Sequence, residues 1–397
     1  MKYVVVHGSG MLDAAQKDLG GKMTLQAAAT PHLDLLASKG IGGLTSVSAE
    51  GAAEQSDLVH FAVLGYDAQK QYPGPGPFQA AGLGVVLGEA DVAYICSMVT
   101  LTSGGRDGLK KLAPHVVMEG PLTGGMETDQ ARELIDAVNE HLGSEDIQFY
   151  PGSGDRHVMV WVGGKVRASC IPPEQAAGKP LSESLPRGDG SELLRQLMEA
   201  SLLILRDHPV NEERRGAGLK PANCLWLWGQ GRWPRVLSLA DRYQVTGSIL
   251  AKTDLHKGVG ICAGLEPVDS VEDMLHELEK KAFVYVHVSL PRELNGDTDP
   301  KAKVRFVETF DRDTLGMLLK RLDELGPHRI LAVCDSAGFS TMLGGTASAL
   351  YSLYEGPFSK QVSSARRFCD MYSATSPSRV RDAGKLLSQL FRNPSTP

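Results

Sequence analysis

Near the carboxyl end of this 397-residue sequence two strand patterns flank one long helix pattern, and that passage limits the fold more than any other. Residues 284–290 and 329–335 are apolar runs of strand length. Between them, residues 301–325 set Val304, Val307, Leu315, Leu318 and Leu322 at helical spacing. Two apolar strands joined by a long helix predict a parallel pair with a right-handed crossover. Residues 1–7 form another short apolar run, closed by Gly8-Ser9-Gly10, and that strand is expected in the same sheet. After it, Thr30 and Pro31 open a helix whose Leu33, Leu36 and Ala37 share a face before Gly40 stops it.

The texture changes in the middle of the chain. A helix over 128–142, ended by Gly143, precedes short strand patterns at 147–150, 157–162 and 165–170. Residues 171–191, rich in Pro and Gly, read as a return linker. Ser191 then caps a helix with Leu194, Leu197, Met198, Ser201, Leu202 and Leu205 in one stripe. The expected architecture is α/β: a core of mainly parallel sheet flanked by helices, built from residues 1–114 and 186–397, with a smaller α+β lobe inserted at 115–185.

Charge excludes some partners. With 41 Lys and Arg against 47 Asp and Glu the net charge is −6, the wrong sign for a protein that binds phosphate backbones, so no nucleic-acid partner is expected. Hydrophobic residues at 42% are enough for a substantial core, yet no apolar run approaches the roughly 18 residues needed to span a bilayer, and no membrane partner is expected. Six scattered cysteines, without a Cys-x-x-Cys pair, fit a reduced, cytoplasmic protein.

In an open parallel sheet, ligands gather at the strand carboxyl ends, here the loops after Val6, Val288 and Val333. Gly8-Ser9-Gly10 offers backbone N–H groups to an anion, or is simply a tight turn. Ser56 precedes an apolar helix pattern; it reads either as the helix cap or as a hydroxyl able to take a phosphoryl group at a helix start. Asp335 ends a buried strand, as metal-binding carboxylates do, or caps the next turn. Asp155-Arg156-His157 is either a phosphate- or carboxylate-binding cluster or a solvated turn. Lys252, Asp254 and Lys257 form a charged group beside Gly258. Trp226-Leu227-Trp228 suits a buried strand better than a stacking platform.

Several passages together resemble the archaeal-type, cofactor-independent phosphoglycerate mutases of the alkaline-phosphatase superfamily, which include a bacterial branch proposed to be homoserine kinases. The resemblance runs nearly end to end. It is carried by residues 20–28 (GGKMTLQAA), Thr30-Pro31-His32-Leu33-Asp34, Gln55-Ser56-Asp57, Leu64-Gly65-Tyr66-Asp67, Arg156-His157, His208-Pro209-Val210-Asn211, residues 226–231 and Asp254-Leu255-His256-Lys257-Gly258. It implies an alkaline-phosphatase-like core with an inserted lobe, Ser56 as the phosphorylated nucleophile, and two divalent metals, Mn or Zn, that activate it. Arg156, His157, Asp254 and Lys257 fall on substrate-binding positions.

The sequence also departs from that pattern. Ser9 stands where the family's first loop carries a metal-binding Asp. Arg292 and Gly296 replace an Asp and a His, Ser336 replaces a His after Asp335, and Gly345 replaces another. Ser56 and Asp335 keep the implied ligand types, so Asp335 is expected to be an isolated remnant and no metal cofactor is expected to bind. The leading expectation is a noncatalytic member with a cleft for a small phosphorylated or other anionic metabolite, bounded in part by Arg292. The alternative is a remodelled or residually active phosphotransferase acting through Ser56, with two metals. A third reading recruits ligands from Asp297, Asp299, His287 or Glu293.

Overall fold

The apolar runs become strands in a computed structural model that describes residues 1–47, 56–103, 111–121, 126–291, 294, 299–336, 347–357, 363–372 and 380–392. In chain order the strands are β1 (Lys2–Ser9), β2 (Ile41–Val47), β3 (Val92–Thr102), β4 (Val117–Pro121), β5 (Ile147–Tyr150) and β6 (Arg156–Trp161). They continue with β7 (Cys224–Gly231), β8 (Gly247–Ala251), β9 (Glu266–Val268), β10 (Phe283–Ser289), β11 (His328–Ser336) and β12 (Ala347–Gly356). The chain divides into two units. The first comprises Met1–Tyr72, Arg235–Lys252 and Val259–Pro397; the second comprises Pro73–Pro234 and Thr253–Gly258.

Among the described residues, the sheet of the first unit runs β2-β12-β11-β1-β10-β8-β9. From β11 to β9 every pairing is parallel, whereas β12 and β2 add antiparallel strands at one end. The expected β10–crossover–β11 unit is present, but β1 lies between the two strands. The cause is in β1 itself: Val4, Val5 and Val6 are all buried, so the strand fills a central place, covered on both faces. On one face Val4, Val6, Val284, Val286, Ile330 and Ala332 join Leu33, Leu36, Phe310, Leu318 and Leu322 in a single core. The long helix of the crossover is Pro300–Thr309, a π-helical turn at Phe310–Leu315, and Gly316–Leu325. The turn places buried Asp311 at the start of the Pro31–Lys39 helix, where its carboxylate accepts from His32 N at 3.1 Å and Leu33 N at 2.8 Å. It thereby satisfies amides that a helix start leaves open.

The second unit is antiparallel. β3 is buried along most of its length and pairs with β4 and β6, and also with β7; β5 extends the sheet beyond β6. The Thr128–Leu142 and Ser191–Leu205 helices bury their apolar stripes here, including every stripe residue expected of the latter. The second unit is larger than the 115–185 insert, because β3 pairs with the insert's β4 and β6 while β7 pairs with β3, and neither joins the parallel sheet. Residues 165–170 are not a strand. Ser169 makes an isolated antiparallel bridge to Arg187, and side chains take two further carbonyls: Lys165 O accepts from Tyr94 Oη at 2.6 Å, and Ala168 O from Gln230 Nε2. Nor is 171–191 a bare linker, since it carries short helices that bury Ala176 and Leu181.

Trp226 and Trp228 lie in the core, their indole N–H groups donating to Ile171 O at 2.9 Å and Ser97 Oγ at 3.0 Å. Two glycines set a close helix contact in this unit. A Cβ on Gly82 would lie 1.8 Å from Asp254 O, and one on Gly258 1.7 Å from Phe78 O. Among the described residues, no helix is long and apolar enough to cross a membrane.

Candidate functional site

Strand register brings the chemistry of the first unit together. β1 and β10 pair with His7 opposite His287, and side-chain alternation puts both on the sheet face shared by Tyr285 and Asp335. His7 donates from Nε2 to Asp335 Oδ2 at 2.7 Å, and Tyr285 Oη lies 2.9 Å from His7 Nδ1. Gly10, whose φ of 79° lets the chain turn back after β1, donates its N–H to Asp335 Oδ1 at 3.0 Å. The Ser9 hydroxyl donates to the same carboxylate. Burial would raise the Asp335 pKa, but the adjacent His7 ring and these hydrogen bonds hold it below the ordinary carboxylate range.

The Ser56–Val63 helix lies over this face and adds His60. The His60 ring stacks on His287 with centroids 4.8 Å apart and on Tyr285 at 4.5 Å. His7 meets His287 edge-on at 4.9 Å. Ser289 Oγ is 3.3 Å from His287 Nδ1. Of these groups, sequence reasoning had picked out Asp335 and His287 and missed His7, His60 and Tyr285. The available signal was interruption: each histidine breaks an apolar run, after Val4-Val5-Val6, within Leu58-Val59-His60-Phe61, and after Val284-Tyr285-Val286.

Ser56 is the first residue of its helix, as expected. Asp299 is the exposed N-cap of the Pro300–Thr309 helix, accepting from Ala302 N at 2.8 Å, so its carboxylate has a structural task. Arg292, Glu293, Gly296, Asp297 and Gly345 lie outside the described residues.

In the second unit, Arg156 opens β6. Its guanidinium stands 5.6 Å from the Trp228 ring centroid, and Nη2 is 3.5 Å from Glu174 Oε1. His157 alternates to the other side and is fully buried. Its Nδ1 accepts from Gly152 N at 3.0 Å, and burial lowers its pKa to about 3. A ring in that setting braces the 152–157 turn. Asp254 starts the Asp254–Cys262 helix, and its Oδ2 accepts from Ser153 Oγ at 3.3 Å, which ties the charged 254–257 segment to the turn before Arg156. Lys257 follows one helical turn later and is half-buried. Arg156, Asp254 and Lys257 therefore belong to one unit, and Ser56 and Asp335 to the other.

Other motif residues serve the scaffold. The Thr24 N–H donates to Asp13 Oδ1 at 2.8 Å, and Lys303 Nζ meets Asp13 Oδ2 at 3.0 Å, both at buried positions. Asp34 accepts from Phe368 N at 2.8 Å.

A family model described as 2,3-bisphosphoglycerate-independent phosphoglycerate mutase matches residues 37–211. A probable 2,3-bisphosphoglycerate-independent phosphoglycerate mutase of Geobacter sulfurreducens is 38% identical over 351 residues, covering 84% of this chain and 86% of the relative. The corresponding mutase of Methanothrix thermoacetophila is 34% identical over 352 residues, with 84% and 86% covered. Among solved structures, a Pyrococcus horikoshii protein superposes with a TM-score of 0.74 at 22% identity, covering 98% of this chain and 97% of that one. The cofactor-independent phosphoglycerate mutase of Thermoplasma acidophilum gives 0.59 at 23%, with 98% and 99% covered. The structures share the α/β fold, and the sequence relatives decide the family: this chain belongs to the 2,3-bisphosphoglycerate-independent phosphoglycerate mutases.

Proposed function

We propose that this chain is a member of the mutase family that does not assemble the two-metal centre and acts as a noncatalytic binding component for a small phosphorylated or other anionic metabolite in the cytoplasm. One observation carries the reading. Asp335, the remaining carboxylate among the expected ligands, spends both oxygens on protein donors: His7 on Oδ2 and Gly10 N–H on Oδ1, with the Ser9 hydroxyl as a further donor. Ser9 occupies the place of a second metal carboxylate and points its hydroxyl at the first. A pair of divalent ions needs several charged oxygen ligands to offset dehydration, and this constellation turns its one carboxylate inward. The residues described do not fit the two-metal group.

The anion-binding side of the proposal draws on Arg156 and Lys257, both in the second unit. A guanidinium held against Trp228 keeps its fork in one orientation, which suits recognition of phosphate or carboxylate. The test is metal analysis of native protein together with an assay for manganese-dependent interconversion of 2- and 3-phosphoglycerate. The proposal expects no interconversion; turnover that EDTA abolishes defeats it.

A second reading rests on a separate observation. The Ser56–Val63 helix begins at Ser56, so its open amide end lies at the position of the family nucleophile. A phosphotransferase working through Ser56 would carry one added phosphate there after incubation with a phosphoglycerate, visible by intact mass and lost in Ser56→Ala. An unmodified protein removes that reading.

A further inference from the structure

We infer that His60 and His287 form a site for a single borderline-soft divalent cation of the Zn²⁺ type, on the sheet face of the first unit. The inference does not depend on the proposed function, because it concerns a nitrogen site and not the carboxylate centre of the family. Three imidazoles gather where the surrounding sequence is apolar: His7, His60 and His287 are each at most 2% exposed, with ring centroids 4.8 to 6.0 Å apart. Histidine seldom occupies fully buried positions without a specific partner or task.

The three rings divide by their contacts. His7 has Asp335 at one nitrogen and Tyr285 at the other, so it belongs to a hydrogen-bonded support. His60 and His287 face each other, with ring planes 17° apart and ligating nitrogens within 4.8 Å. Two nitrogens bound to one tetrahedral zinc at about 2.0–2.1 Å lie roughly 3.3 Å apart, so closure asks for at most about 1.5 Å and for a tilt of the stacked rings that aims both in-plane lone pairs at one point. Ser289 Oγ, 3.3 Å from His287 Nδ1, is the outer contact, able to accept from that nitrogen when Nε2 holds the ion. An imidazole pair selects zinc, cobalt or nickel over magnesium and manganese, and water or an anion completes the shell.

The experiment titrates Zn²⁺ into EDTA-stripped full-length protein against a chromophoric chelator. One equivalent per chain is expected. Ser289→Ala should weaken binding about 10-fold, and His60→Gln and His287→Gln should abolish stoichiometric binding. Zinc-edge X-ray absorption of the loaded wild-type protein, which needs no variant to fold, should show imidazole scattering. Absence of binding, an all-oxygen shell, or unchanged affinity in folded His60→Gln and His287→Gln overturns the inference. Two equivalents that survive both histidine variants and vanish in Asp335→Ala would overturn it and the proposed function together, whereas zero equivalents would leave the proposed function standing alone.

Discussion

His157 gives the second unit a dependence of stability on pH whose sign and size follow from its burial. The ring is fully buried and its pKa is lowered to about 3, against about 6.5 for an exposed imidazole. Between those values the unfolded chain takes up a proton that the folded chain refuses. The unfolded state then binds more protons, so stability falls as pH falls. Acidification from about pH 6.5 to about pH 4.5 should cost about 2 kcal/mol through this residue. His157→Asn keeps an acceptor for the Gly152 N–H but cannot take the proton. It should be less stable than wild type by about 1–2 kcal/mol near neutral pH, through lost ring volume. That gap should close or reverse by about pH 4.5. Asp155, whose carboxyl burial pushes up, titrates in both proteins and cancels in the difference. All four tryptophans, Trp161, Trp226, Trp228 and Trp233, lie in the second unit, so urea unfolding followed by tryptophan fluorescence reports the right part of the chain. A constant gap between the two proteins across this pH range would refute the reasoning.

Gly258→Ala should destabilise the second unit by about 2–3 kcal/mol in the same fluorescence assay, because its Cβ would meet Phe78 O at 1.7 Å and the two segments must part. Asp311→Ala removes the acceptor for two amides at the start of the Pro31–Lys39 helix and should cost about 2 kcal/mol, read as a lower melting temperature by circular dichroism. In chelator-treated protein, Asp335→Ala should cost about 3–5 kcal/mol, since buried donors on His7, Ser9 and Gly10 lose their acceptor. Greater stability of this variant by chemical denaturation would instead mark Asp335 as a carboxylate kept for a cation.

Much of the scaffold was legible because it is written in short-range patterns. The strands on either side of the crossover helix, the stripe from Leu194 to Leu205 and the stop at Gly40 each follow from residues a few positions apart. What escaped depends on distant pairings. Val4 to Val6 declare a buried strand but not that its neighbours come from residues 283–289 and 328–336. The π-helical turn at Phe310–Leu315 leaves the apolar spacing almost unchanged, so only the position of Asp311 betrays it. Residues 165–170 carry strand propensity, yet Tyr94 and Gln230 take the carbonyls of Lys165 and Ala168. At the site, Ser56 and Asp335 could be found through their motif neighbours. His7 and His60 could not, because their meaning lies in a register that joins β1 to β10 across most of the chain.

That same register sets a schedule for synthesis. A ribosome making roughly 5–20 residues per second needs about 15–60 s to pass from Lys2 to Phe283. Throughout that interval Tyr3 to Val6 have neither edge partner, and four consecutive apolar residues wait in a chain that has not yet earned its centre. Truncation before Phe283 would therefore strand the oldest segment of the protein, turning the keystone of the finished sheet into its most adhesive loose end.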